Sequence, residues 1–303
     1  MRSVLPGVDA LTEIAPHVLV AAYLAAMMLA MGLELGNGPP ESKDVKRRQR
    51  RLLIRGLLMN LVLFPVVAVG LTRVLHTSGD AAIALLLLAA APGGRFAPQL
   101  TRTAGGDVPL SVEITLFLAK LTPFIAPTMA RWMVGVHHIE LHEMTFLVPL
   151  VLLQLVPYFT GRALRHRRRA LAERLLGPAR IASTLFLAVL VIWLLVHREF
   201  RSVLSLRGPG WLAVLAFAVV ALALGWLLGG PTPRTRRAFA ISATARELPL
   251  ALVMASLAFP HGSVRTAVLG AWLVLSGFTY AFARLARQEA GTAPVEPTIS
   301  AAA

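Results

Sequence analysis

Apolar residues in this chain do not alternate with polar ones; they come in near-continuous runs of the length that crosses a bilayer. A hydrocarbon core about 30 Å thick takes roughly twenty helical residues. Such runs fall at about 16–35, 52–75, 80–100, 107–133, 144–162, 181–197, 209–229, 235–258 and 263–284. The pattern predicts an all-α polytopic membrane protein with about nine transmembrane helices. Connections are short, so residues 1–287 read as one membrane unit. The small, polar, Pro-containing residues 288–303 read as a disordered cytoplasmic tail. The opening sequence carries Asp9 and Glu13 before a long apolar run, unlike a cleaved leader, so 16–35 is taken as the first span.

Composition sharpens the class. Of 303 residues, 56% are hydrophobic and 15% charged, with a mean hydropathy of +0.69. Cysteine is absent, which excludes disulfides, thiolate metal sites and thiol catalysis. The formal charge of +15 would point to nucleic acid in a soluble protein. Here the basic residues gather between apolar runs, as in KDVKRRQRR, so no nucleic-acid partner is expected. One alternating set of connectors holds nineteen Lys and Arg and the other seven, which puts the N-terminus outside and the C-terminus in the cytoplasm. The basic stretch 165–180 (RHRRRALAERLLGPAR) reads as a cytoplasmic loop rather than a ligand site. His138 and His142 have i,i+4 spacing beside His137, but no Glu or third His completes a zinc site. No metal and no cofactor are expected. Gly225 and Gly229 form a GxxxG, a weak packing signal.

Two runs contain helix-breaking residues at membrane depth. The third passes into AAAPGGRFAPQLTRTAGGDVPLSVEITL, with Pro92, Gly93, Gly94 and Pro98. The eighth contains TARELP, where Arg246 and Glu247 stand beside Pro249. Each charge at a helix centre costs about 2.5–3.5 kcal/mol on insertion scales. Irregular backbone at that depth survives only when buried in protein or lining a cavity. Interrupted spans in both halves of a chain point to a transporter site, which favours transport over two unrelated proline kinks.

These residues resemble the bile acid:sodium symporters and their bacterial relatives. The resemblance rests on AMMLAMGLEL, on LLMNLVLFPVVA, on PGGRFAPQLTRTAGGDVPLSVEIT and on AFAISATARELPLALVMASLAFP. It implies an inverted-repeat transporter in which two broken helices cross near two sodium sites. A core of about 52–133 and 209–284 then moves against a panel of about 16–35 and 144–197. On the family pattern Asn60, Ser111, Thr115, Ser242 and Thr244 stand at or near sodium-site positions. The departures are large: Ala97 and Pro98 replace a Ser-Asn pair, Ser242 replaces the acidic ligand, and Arg246 replaces a glutamine. A fixed guanidinium repels a sodium ion in a low-dielectric site, so altered or lost sodium coupling is expected.

Glu113, Lys120, Arg246 and Glu247 sum to zero charge and suggest a paired network between spans 4 and 8. Glu113 and Lys120 share one helix face, with Ser111, Thr115 and Thr122 on the opposite face. Three roles stay open for the charges: an inert brace in place of sodium, a proton-coupled carrier, and a grip on an anionic substrate by Arg246 with Arg95 and Gln99 nearby. Arg95 reads either as a substrate ligand or as a residue snorkelling to the cytoplasmic interface, and Glu34 reads as interfacial. The function read from the sequence is a secondary transporter of a small organic anion by alternating access. The alternative is a non-transporting ligand sensor on the same fold. No intramembrane nucleophile–base pair is present, so an enzyme is not expected. The absence of cysteine argues against an arsenite carrier. Oligomeric state is not legible.

Overall fold

The computed structural model describes residues 18–19, 21–30, 32–33, 43–135, 147–196, 209–259 and 263–292. His137, His138, His142, Glu34 and the last eleven residues of the tail lie outside them.

The described residues form an all-helical bundle with no strands. The first helix, α1, holds Ala21–Ala30. Helix α2 (Lys43–Leu58) runs through one turn of π-helix (Met59–Leu63) into α3 (Phe64–Val74). Then come α4 (Asp80–Ala90), α5 (Ala97–Thr103), α6 (Val108–Gly135), α7 (Leu147–Arg167) and α8 (Arg169–Val196). The second half holds α9 (Pro209–Leu228), α10 (Pro233–Thr244), α11 (Leu248–Ala258) and α12 (Val264–Thr292). Among the described residues, three stretches are long and apolar enough to cross a bilayer alone: Gln49–Val74, Pro209–Leu228 and Val264–Glu289. Val108–Gly135 qualifies as a bent pair.

Two basic connectors expected as loops are helical instead. KDVKRRQRR lies within α2, and 165–180 continues α7 and α8 with a break only at Arg168. Glu173 explains part of this, since it takes Arg169 at 3.0 Å one helical turn away and Arg165 at 3.4 Å. The tail is helical to Thr292, beyond the expected boundary.

Apolar side chains fill the interior and also cover the outer surface. Val62, Phe124, Trp132, Val156, Ile181 and Leu227 project outward, as lipid-facing positions do where the solvent is itself apolar. Helix α4 is the centre. Its residues from Ala82 to Ala90 are all buried, and α3, α6, α9, α11 and α12 pack around it. A helix apolar on every side belongs in such an interior.

The GxxxG of α9 is a true seam. A Cβ on Gly225 would stand 2.6 Å from Ala240 Cα, and one on Gly229 2.6 Å from Arg236 Cα. Gly225→Leu is therefore expected to destabilise the protein by about 1–3 kcal/mol or more through overpacking, read as a lowered midpoint of thermal unfolding in detergent. A second seam joins the first helix to α7, where a Cβ on Gly32 would meet the Tyr158 carbonyl oxygen at 2.2 Å and one on Gly161 the Leu29 oxygen at 2.5 Å.

Candidate functional site: the crossing of two broken helices

Helix α4 stops at Ala90 and α10 at Thr244, and the two interruptions lie against each other. Pro92 and Arg246 form an antiparallel bridge. Gly94 N–H donates to the Ala245 carbonyl at 3.0 Å, and Glu247 N–H to the Ala91 carbonyl at 2.9 Å. Each break thus supplies partners for the other's backbone, which no lipid can do.

The sequence permits this contact through two glycines. Gly93 has φ +106, in the left-handed region that side chains avoid. Gly94 is the contact itself: a Cβ there would lie 2.9 Å from Ala245 C and from Arg246 O. Pro98 and Pro249 were expected to break helices. They instead start α5 and α11, each in the first two positions, where a missing N–H costs nothing.

The bridging segment is extended, with φ/ψ of −74/101 at Ala245 and −87/99 at Glu247. Neighbouring side chains on extended backbone point to opposite sides. This is how Arg246 and Glu247 can be adjacent in sequence yet engage different surroundings.

Arg246 is fully buried. Its Nη1 donates to the Ala89 carbonyl at 3.4 Å and its Nη2 to the Ala243 carbonyl. Both oxygens lie in the last turn of a half-helix, α4 and α10, where carbonyls lack intrahelical partners and the macrodipole is negative. The guanidinium carbon is 5.5 Å from the Phe64 ring centroid and 5.6 Å from that of Phe217, within cation–π range. Trp272 Nε1 donates to the Arg246 carbonyl at 3.0 Å, tying α12 to the break. Arg246 Nε is buried without a partner among the described residues.

Arg95 and Glu247 face a different group. Arg95 Nη2 donates to the Tyr23 hydroxyl at 2.7 Å, with the guanidinium 5.3 Å from the Tyr23 ring centroid. Glu247 lies within Coulombic reach of Arg95, without an ion pair inside 4.0 Å. Arg95 is half-buried and turns to the first helix rather than to the interface, while its buried Nε has no partner among the described residues.

The expected quartet does not assemble as one set of ion pairs. Glu113 accepts from Gln49 Nε2 at 2.7 Å, and Lys120 Nζ stands 5.1 Å from the Phe117 ring centroid. Among the described residues neither Arg246, Lys120 nor Glu247 has an opposite charge within 4.0 Å. Helix-end carbonyls and aromatic faces take the role expected of carboxylates. Gln99 is exposed in α5, away from any described partner of its side chain.

The hydroxyl and amide candidates form separate small sets. Asn60, in the π-turn, donates through Nδ2 to Ser242 Oγ and to the Gly56 carbonyl, both at 3.0 Å, while its buried Oδ1 has no partner among the described residues. Ser111 Oγ accepts from Thr101 Oγ1 at 3.1 Å. Thr115 is buried on the same helix face. Thr122 Oγ1 donates to the Pro92 carbonyl at 3.2 Å, holding α6 against the first break. Thr244 accepts from Thr279 Oγ1 at 2.7 Å. Tyr23, Phe64, Phe217, Trp272 and Thr279 were not singled out from the sequence, because aromatics in apolar runs look like ordinary core. A lone hydroxyl or indole N–H at bilayer depth, as in Thr279 and Trp272, was the available signal.

Two helices broken at membrane depth, bonded backbone to backbone and charged at the contact, define a membrane transporter. The particular kind follows from the sequence: the chain belongs to the sodium bile acid symporter family, whose model matches residues 21–206. The second break lies beyond those residues. The chain is also similar, at 23% identity over 286 residues, to an uncharacterized sodium-dependent transporter of Bacillus subtilis (strain 168), YocS. That similarity covers 90% of this chain and 86% of the relative. The protein is a membrane transporter and not an enzyme.

Proposed function

We propose that the chain is a nine-helix inverted-repeat carrier of small organic anions that works by alternating access with lost sodium coupling. The observation that carries this reading is Arg95: a half-buried guanidinium at the crossing, held on one side by Tyr23 and keeping an unspent Nε–H. A carboxylate or sulfonate takes two parallel hydrogen bonds from such a fork. Sodium coupling is lost because Arg246 brings a permanent positive charge to the crossing. The sodium dependence in the relative's name belongs to a chain only 23% identical, and it is the competing expectation.

The two halves support an inverted repeat, since the continuous α2–α3 with α4–α5 and α6, and α9 with α10–α11 and α12, each place a broken span between longer helices. The Gly32–Gly161 seam and the cluster of Ala30, Leu33, Ala172 and Ala179 tie the first helix to α7 and α8, which supports a separate panel. The N-terminus is outside and the C-terminus cytoplasmic by the basic-residue bias.

The test is uptake of a panel of radiolabelled carboxylates and sulfonates into proteoliposomes. Arg95→Gln is expected to raise KM about ten- to a hundredfold for the transported anion, as loss of charge-assisted bonds worth about 1.5–3 kcal/mol predicts. An unchanged KM removes Arg95 from the site, and binding without flux makes the protein a sensor. A second reading, proton-coupled carriage, is favoured by Glu247, whose buried carboxylate accepts no hydrogen bond from a described residue. It requires that an inward proton gradient drive uptake and that Glu247→Gln abolish the drive.

A further inference from the structure

Resting on the reading of the crossing as the coupling centre, we propose that Arg246 is a built-in monovalent cation. Its guanidinium fills a seat that the C-terminal carbonyls of two half-helices offer to a sodium-sized ion. The seat opens to sodium only when the guanidinium is removed.

The seat is defined by oxygens rather than by carboxylates. Where helices break in a membrane, their C-terminal ends and unwound carbonyls present negative charge to a small cation. In this chain the Ala89 carbonyl lies in the last turn of α4 and the Ala243 carbonyl in the last turn of α10, and both accept from one side chain. That side chain is fully buried, and no carboxylate among the described residues lies within 4.0 Å of it. The Phe64 and Phe217 rings add two more electron-rich faces. One residue before Ala243 in α10, Ser242 accepts from Asn60, whose own Oδ1 is a buried acceptor without a partner among the described residues. Carbonyl, amide and hydroxyl oxygens are the hard donors that sodium takes. The local chemistry therefore suits a cation, and the chain supplies one covalently.

A tethered charge differs from a bound ion in its consequences. It cannot leave, so the negative helix ends stay neutralised in every state of the cycle. No ion gradient then acts through this seat. The connection to the chain also holds the two half-helices together without ligand.

The experiment is thermal unfolding of the purified full-length protein in sodium chloride against choline chloride at constant ionic strength. Wild type is expected to melt at the same temperature in both. Arg246→Gln is expected to melt lower in choline and to rise with the logarithm of sodium concentration once the seat begins to fill, by about 3 °C or more. Arg246→Lys keeps a charge in the seat and is expected to be as indifferent to sodium as wild type. The proposal is overturned if Arg246→Gln melts alike in sodium and choline, or if Arg246→Lys gains the same sodium response. Should Arg246→Gln fold poorly in choline, purification in high sodium is the second measurement. Folded protein recovered only with sodium supports the seat, and none in either salt overturns it. No substrate enters this assay, so a sodium response in Arg246→Gln stands even if anion transport fails. Conversely, anion uptake with no such response removes only the seat.

Discussion

Gly94→Val is expected to yield little or no folded protein, the largest effect of any single substitution in the bundle. The first added carbon would already lie 2.9 Å from Ala245 C and Arg246 O, and its three nearest neighbours are all backbone atoms. No side chain can swing aside to admit it. The crossing would have to open, breaking the Gly94–Ala245 and Glu247–Ala91 hydrogen bonds in a region where no water replaces them. Overpacking of about 1–3 kcal/mol combines with two orphaned buried donors at about 1–3 kcal/mol each. Native stabilities are only about 5–15 kcal/mol. Gly70→Val is the control, because nothing lies within 4 Å of a Cβ built at Gly70. Size-exclusion profiles in detergent read both: a monodisperse Gly94→Val protein with an unchanged melting temperature would contradict the crossing as described.

The second large effect is at Arg246. Arg246→Leu fills similar apolar volume but leaves the Ala89 and Ala243 carbonyls without the donors they now have. Two buried acceptors at about 1–3 kcal/mol each, with two cation–π contacts at about 0.5–2 kcal/mol each, predict a loss of about 3–10 kcal/mol. The loss is one of stability alone and is read by thermal unfolding without added ligand. A leucine variant as stable as wild type would mean that the guanidinium is tolerated at the crossing rather than required by it.

Much of this architecture was visible in the pattern of residues. Apolar runs placed the helices, and PGG with TARELP marked both interruptions, because proline and glycine carry their conformational limits wherever they stand. The basic connectors were misjudged as loops, since a charged stretch is silent about whether its backbone continues a helix. Charge pairing was also misjudged. Counting signs joined Glu113 and Lys120 to Arg246 and Glu247, but carbonyl dipoles and aromatic faces carry no formal charge and vanish from such a count. Ala89 and Ala243 hold Arg246 through main-chain oxygens that every residue possesses. The opposite facing of Arg246 and Glu247 depends on extended backbone between two helices, which sequence alone locates but does not orient.

The most direct test of sodium-free anion carriage is the initial rate of uptake into proteoliposomes of any anion the wild-type protein transports. Sodium is replaced by choline on both sides, with the membrane potential held at zero. Equal rates in sodium and in choline are expected. Uptake that falls to background in choline and is driven by an inward sodium gradient would contradict it.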